Sequence, residues 1–200
     1  ATMPALAAAV PYMEGFEVAD IADLGAWWEF PSASLTGSSV HSDGHALSIA
    51  YNSASGAELA VDLAPGGVPL TAVTLDFWSR EPNSSNDTTT VSGSVDGTTW
   101  RTLLTARDTG TTAWSHRSVD LDAARAAAGW SYSRTVRFRF AYTYQYYGGT
   151  WMLDDVRVGT GLDVFGPKVT ACSLAGQSVA GPVSEFTVTF DEPVDAASLA

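Results

Sequence analysis

Two adjacent carboxylates, Asp154 and Asp155, interrupt an otherwise apolar run near the end of RTVRFRFAYTYQYYGGTWMLDDVRV (Arg134–Val158). A charge inside a strand requires solvent, a counter-charge or a bound cation, because an isolated ion in a low dielectric is costly. Strand parity predicts Asp154 on the core face with Val156 and Val158, and Asp155 on the face of Arg157. Their partners stay open at this point: a hard divalent cation, backbone N–H groups that the pair would cap, or the guanidinium of Arg137 or Arg139. A glycosidase also needs two facing carboxylates, and Glu14, Glu17, Glu58, Asp76, Asp154 and Asp155 are numerous enough to supply them. Many β-sandwiches carry as many acids without such a role. The chain has no GxSxG, HExxH, P-loop or GxGxxG motif, and His41, His45 and His116 are isolated in sequence. The reading is therefore noncatalytic.

Aromatic rings offer a second chemistry. Tyr142, Tyr144, Tyr146, Tyr147 and Trp151 crowd one hairpin. Exposed Tyr and Trp rings stack on the apolar faces of pyranose rings while polar neighbours take the hydroxyls. Tyr142 and Tyr144 continue the face of Val136, Phe138 and Phe140 and are assigned to the core. Tyr146, Tyr147 and Trp151 fall at the Gly148-Gly149 turn and are the candidate ligand contacts. Trp78 and Trp100 are assigned structural roles, one ending an apolar strand and the other following a turn.

These residues need strands to position them. Val136, Phe138, Phe140, Tyr142 and Tyr144 alternate with Arg137, Arg139, Ala141 and Thr143, the period of a half-buried strand. Further strands are predicted at Tyr12–Val18, Ala46–Tyr51, Ala57–Leu63, Thr71–Ser79, Thr88–Val95, Trp100–Thr105 and Ser115–Leu121. Ser32–Gly44 reads as a polar loop and Asp122–Ala128 as a short helix ending at Gly129. Asp96-Gly97 is a strong hairpin signal. Strands every 10–15 residues with almost no helix specify an all-β protein, an antiparallel β-sandwich or jelly roll.

Only 16% of residues are charged and the formal net charge is −12, which excludes nucleic acid as a natural partner. No run approaches the roughly 20 apolar residues of a membrane span. A single cysteine, Cys172, rules out an internal disulfide. Residues 1–11 read as an N-terminal tail, either a frayed end or the remnant of a signal peptide. The sandwich spans 12–160 and a Gly-punctuated linker spans 161–166. Residues 167–200, too few for a stable β domain, begin a second, truncated module. Asn83 and Asn86 lie in N-x-S/T sequons on the polar loop Glu81–Asp87.

The N-terminal GFE (Gly15–Glu17), the SxDGTTW hairpin (Ser94–Trp100) and the V-x-F-x-F-x-Y strand followed by W-x-L-D-D-V occur in one order. Together, over about residues 12–160, they resemble the MAM-like and carbohydrate-binding-module jelly rolls of secreted bacterial proteins. TFDEPVD (Thr189–Asp195) resembles the start of bacterial Ig-like domains. The first resemblance implies a structural calcium. Its ligands, carried over to this chain, are Glu17, Asp43 and Ala46 of the SDGHALS turn, and Asp154 or Asp155. Calcium takes six to eight carboxylate and carbonyl oxygens in irregular geometry. SxDGTTW also resembles the Asp-box of sialidase propellers, but it is one residue short and occurs once. Its Asp and Thr are expected to hydrogen-bond their own turn.

The expected protein is a noncatalytic binding or adhesion module, secreted or at the cell surface, with polysaccharide or glycan as ligand. It would be a monomeric unit of a larger chain. A structural spacer, or an ancillary domain of a hydrolase whose catalytic part lies elsewhere, is the alternative.

Overall fold

The computed structural model describes residues 7–50, 53–80, 88–107, 113–143, 149–161, 169–174, 181 and 185–190. In chain order the elements are β1 (Ala8–Ala9), β2 (Tyr12–Glu14), β3 (Trp28–Glu29), β4 (Ala33–Thr36), β5 (Ala46–Ala50), β6 (Ser53–Asp62), β7 (Val73–Arg80), β8 (Thr88–Ser94), β9 (Arg101–Arg107) and β10 (Ser115–Asp120). The helix α1 (Leu121–Ala128), β11 (Val136–Thr143), β12 (Thr150–Thr160), β13 (Val169–Cys172) and β14 (Val188–Phe190) follow. Two compact units result, Ala1–Val164 and Phe165–Ala200.

The larger unit is a β-sandwich. Its first sheet runs β1-β6-β11-β8-β9, with β3 also on β6, and its second runs β10-β7-β12-β5-β4, with β2 on β12. The pairings are antiparallel except β1 with β6. Period-2 alternation places Val136, Phe138, Phe140 and Tyr142 of β11 inward, all buried. From the second sheet Phe77 and Trp151 meet Phe140, with ring centroids 5.6 and 6.1 Å away. Trp28 stacks on the same ring at 6.1 Å. Burying each such side chain contributes about 1.5–3 kcal/mol, so this aromatic cluster joins the sheets.

The helix forms between defined stops. Asp120 caps its start by accepting from Ala123 N at 2.9 Å, and Gly129 ends it at φ 69°, a conformation that favours glycine. In the smaller unit β13 pairs with β14, and Thr187 O accepts from Ser173 N at 2.9 Å.

Several expectations are corrected. The loop predicted at Ser32–Gly44 contains β4, whose ASLT pattern is too short to signal a strand and which gains its order from pairing with β5. The first predicted strand stops at Glu14, because Phe16 takes φ 62° to turn its ring into the core while its N–H donates to Glu14 Oε1 at 2.9 Å. Within the expected tail, Ala8 and Ala9 add to the edge of the first sheet beside Val61 and Asp62. Backbone pairing at an edge needs no side-chain pattern.

Candidate functional site

Asp154 and Asp155 sit at an irregularity in β12. Asp154 stands opposite Trp78 and Arg157 opposite Asp76, so two residues of β12, Asp155 and Val156, face one of β7, Phe77. Asp155 absorbs the extra residue at φ 49°. The bulge reverses the expected parity: Asp154 shares the face of Trp78, turned away from Phe77 and the core. It is buried all the same.

The cover is the segment 38–45. Asp154 Oδ2 accepts from His41 N at 2.8 Å and Ser42 N at 3.1 Å, while Oδ1 accepts from Asp155 N at 2.8 Å. Asp155 takes the Ser42 hydroxyl on Oδ1 and His41 Nδ1 on Oδ2, both at 2.8 Å. Glu17 holds the far end of the segment, accepting from Gly44 N at 2.7 Å and His45 N at 3.3 Å. Of the three partners left open for the pair, backbone N–H groups hold Asp154, while Asp155 takes a hydroxyl and an imidazole that the sequence did not suggest. Burial pushes the Asp154 carboxyl up to about 6 and the Asp155 charge adds to the rise, while the Ser42 and His41 N–H groups hold it down. The His41 ring lies flat on Trp78, 3.9 Å between centroids. Three carboxylates thus tie one loop over the outer face of the second sheet.

For calcium, the five expected ligands divide. Glu17 and Asp155 come near each other beside Gly15, where a Cβ would stand 3.8 Å from both Asp155 Oδ1 and Glu17 Cγ. All three carboxylates have both oxygens taken: Glu17 by Gly44 N and His45 N, Asp154 by His41 N, Ser42 N and Asp155 N, and Asp155 by the Ser42 hydroxyl and His41 Nδ1. A cation bound here would have to displace those partners. Asp43 shapes the turn at φ 49° and Ala46 begins β5 with its methyl buried; neither side chain joins the carboxylate hydrogen bonds. Among the described residues no three His, Cys, Asp or Glu side chains are grouped to hold a metal ion.

The aromatic candidates also divide. Trp151 is 1% exposed and packs on Phe77 and Phe140, which corrects its assignment as a ligand contact. It belongs to β12 rather than to the turn, and it shares the inward face of Leu153. Tyr146 and Tyr147 lie outside the described residues, as do Tyr144 and the two sequons' asparagines.

The outer face of the first sheet holds what the sequence did not reveal. Glu29, Glu58, Arg139, Ser92 and Thr102 form one cross-strand row through β3, β6, β11, β8 and β9. Glu58 Oε1 accepts from Arg139 Nε at 2.8 Å, and Arg139 Nη2 lies 2.8 Å from the same oxygen. Arg137, one pleat along, is 1% exposed, with Nη2 at 2.7 Å from Glu29 Oε1 and 3.2 Å from Glu58 Oε2. Both arginines therefore pair with these glutamates rather than with Asp154 or Asp155.

Trp100 completes the row, its ring centroid 3.6 Å from Arg139 Cζ, a cation–π contact. The preceding turn sets the indole there. Asp96 Oδ1 accepts from Thr98 N at 2.7 Å, Thr99 N at 2.6 Å and the Ser94 hydroxyl at 3.0 Å. The Thr99 and Thr98 N–H groups hold the Asp96 carboxyl well below the usual range. The sequence signals for this face were Arg139 on the polar side of β11, and a Trp directly after an Asp-Gly turn. Neither names Glu58 as the partner.

An indole over a guanidinium–carboxylate row, bordered by Ser and Thr hydroxyls, is a polar track with an aromatic platform. No family model matches the chain, and no curated protein matches it. Several solved structures are similar to it, among them these two. One is the C-terminal family 22 carbohydrate-binding module of Clostridium thermocellum Xyn10B, with TM-score 0.51 and 16% identity over 77% of this chain and 96% of that one. The other is the K2 cleaved adhesin domain of Lys-gingipain, with TM-score 0.50 and 14% identity over 76% of this chain and 99% of that one. The likeness is one of fold. Both structures span nearly their whole length on this chain, and the β-sandwich is the shared unit.

Proposed function

We propose that residues 12–160 form a noncatalytic carbohydrate-binding module of a secreted or cell-surface bacterial protein. Its ligand lies on the outer face of the first sheet. The single observation that carries this reading is Trp100 held over Arg139, in the middle of a row that continues to the Ser92 and Thr102 hydroxyls. Such a surface suits a sugar chain. The indole offers an apolar face, and the part-exposed Arg139 and Glu29 with the Ser92 and Thr102 hydroxyls offer donors and acceptors to sugar hydroxyls. The names of these two similar structures, a carbohydrate-binding module and an adhesin domain, support the same class. We read the second unit, Phe165–Ala200, as an Ig-like spacer module.

Affinity electrophoresis through gels containing xylan, mixed-linkage β-glucan or galactan tests the proposal. Migration should be retarded by at least one of them. If none retards it, the module is a structural spacer, or an ancillary domain of a hydrolase with no glycan role of its own.

A structural calcium is part of the reading as what the sequence resemblance implies, and it would have to displace the partners that Glu17 and Asp155 now hold. Calcium in the millimolar range should raise the thermal midpoint above that in a chelator, because an ion bound only by the native state stabilises it by mass action. Coincident midpoints would remove the ion from the account.

A further inference from the structure

We infer that the module's ligand is a branched neutral polysaccharide, with one sugar residue of a branch seated in the cleft between β9 and α1. This rests on the glycan reading of the first sheet. The cleft encloses about 420 Å³ and is lined by Arg101, Thr102, Leu103, Ala124, Ala127 and Ala128. That volume falls in the range of small-ligand sites, roughly 300–1,000 Å³.

Its position selects the occupant. Thr102 belongs to two surfaces at once, ending the row Glu58–Arg139–Ser92 and forming a wall of the cleft. Arg101 pairs with Gly93, which pairs with Phe138, so Arg101 stands on the opposite face of the sheet from the row and the cleft lies around the edge strand β9. A chain lying along the row reaches that edge at Thr102. A substituent there can turn over the edge into the cleft.

The lining selects the chemistry. Leu103 and three alanine methyls offer an apolar wall, and Arg101 and Thr102 offer donors and an acceptor. A pyranose or furanose ring has the matching division into an apolar face and a hydroxyl rim. An acidic sugar fits less well. Ala127 and Ala128 lie in the last turn of α1, the negative end of its dipole. The chain as a whole carries −12 and repels anions at long range.

The test compares polysaccharides before and after their branches are removed. Suitable pairs are arabinoxylan with its debranched form, and galactomannan with its degalactosylated form. Wild-type protein should be retained about tenfold more strongly by the branched member of at least one pair, a difference worth about one factor of ten in Kd. Ala127 is exposed on the helix, so Ala127→Phe fills the cleft without disturbing the core. That variant should lose the preference and keep the affinity for the debranched chain. Equal retention of both members in every pair overturns the inference, as does a preference that survives Ala127→Phe. The sheet reading is separable: it stands if Trp100→Ala weakens the binding of debranched chains. If no polysaccharide is retained at all, both readings fall.

Discussion

Replacing Trp151 with alanine is expected to cost about 3–5 kcal/mol of stability, the range for deleting a large buried aromatic. Its ring fills the space where the sheets meet, with Phe77 at 6.3 Å and Phe140 at 6.1 Å between centroids. None of the neighbours can move in to fill the gap, because Phe77, Phe140 and Leu153 are themselves buried in fixed strands. The transfer and cavity costs therefore add. Urea titration of the variant should show a lower midpoint with an unchanged slope. A loss under about 1 kcal/mol is what an exposed ring at a turn would give, and it would place Trp151 back on the surface.

Arg137→Met should be nearly as damaging, at about 3 kcal/mol. Glu58 is 4% exposed and sits between the guanidinium groups of Arg137 and Arg139. Removing Arg137 leaves that carboxylate with one cation where it had two, and costs Glu29 its 2.7 Å partner. Breaking a buried pair from one side costs more than the pair contributes, because the remaining charge stays desolvated. Arg137→Met combined with Glu58→Gln should accordingly lose less than the sum of the single variants, a coupling that a double-mutant cycle reads directly. Additive losses would mean that Arg137 contributes packing alone.

The fold was legible because β11 announces its own geometry. Four inward residues alternate with polar ones, and this alternation survives in the structure from Val136 to Tyr142. Gly129 and the Asp96 turn were equally readable, since each depends on a local backbone requirement. What failed was anything set by a neighbouring strand. One inserted residue at Asp155 moved Asp154 to the opposite face, and no pattern within LDDV encodes a bulge. The contact of Trp100 with Arg139 was equally hidden, because Arg139 lies 39 positions away in sequence and meets it only through the order β11-β8-β9. Trp151 looked exposed because it follows the Gly-Gly pair so closely, but β12 already begins at Thr150. The carboxylates were correctly singled out as needing partners. That Asp154 would find backbone N–H groups, and Asp155 the side chains, of His41 and Ser42 could not be read from a separation of more than a hundred residues.

The central claim is that the outer face of the first sheet, through Trp100, holds a glycan. Isothermal titration of wild type and Trp100→Ala with whichever polysaccharide retards the protein in gels tests it most directly. Loss of base- or sugar-stacking aromatic contacts typically removes one or more factors of ten, since each 1.4 kcal/mol is tenfold in Kd. The predicted result is a drop of about tenfold or more for Trp100→Ala with an unchanged melting temperature. Equal affinity in the two proteins would contradict the account and move the ligand to another face of the sandwich.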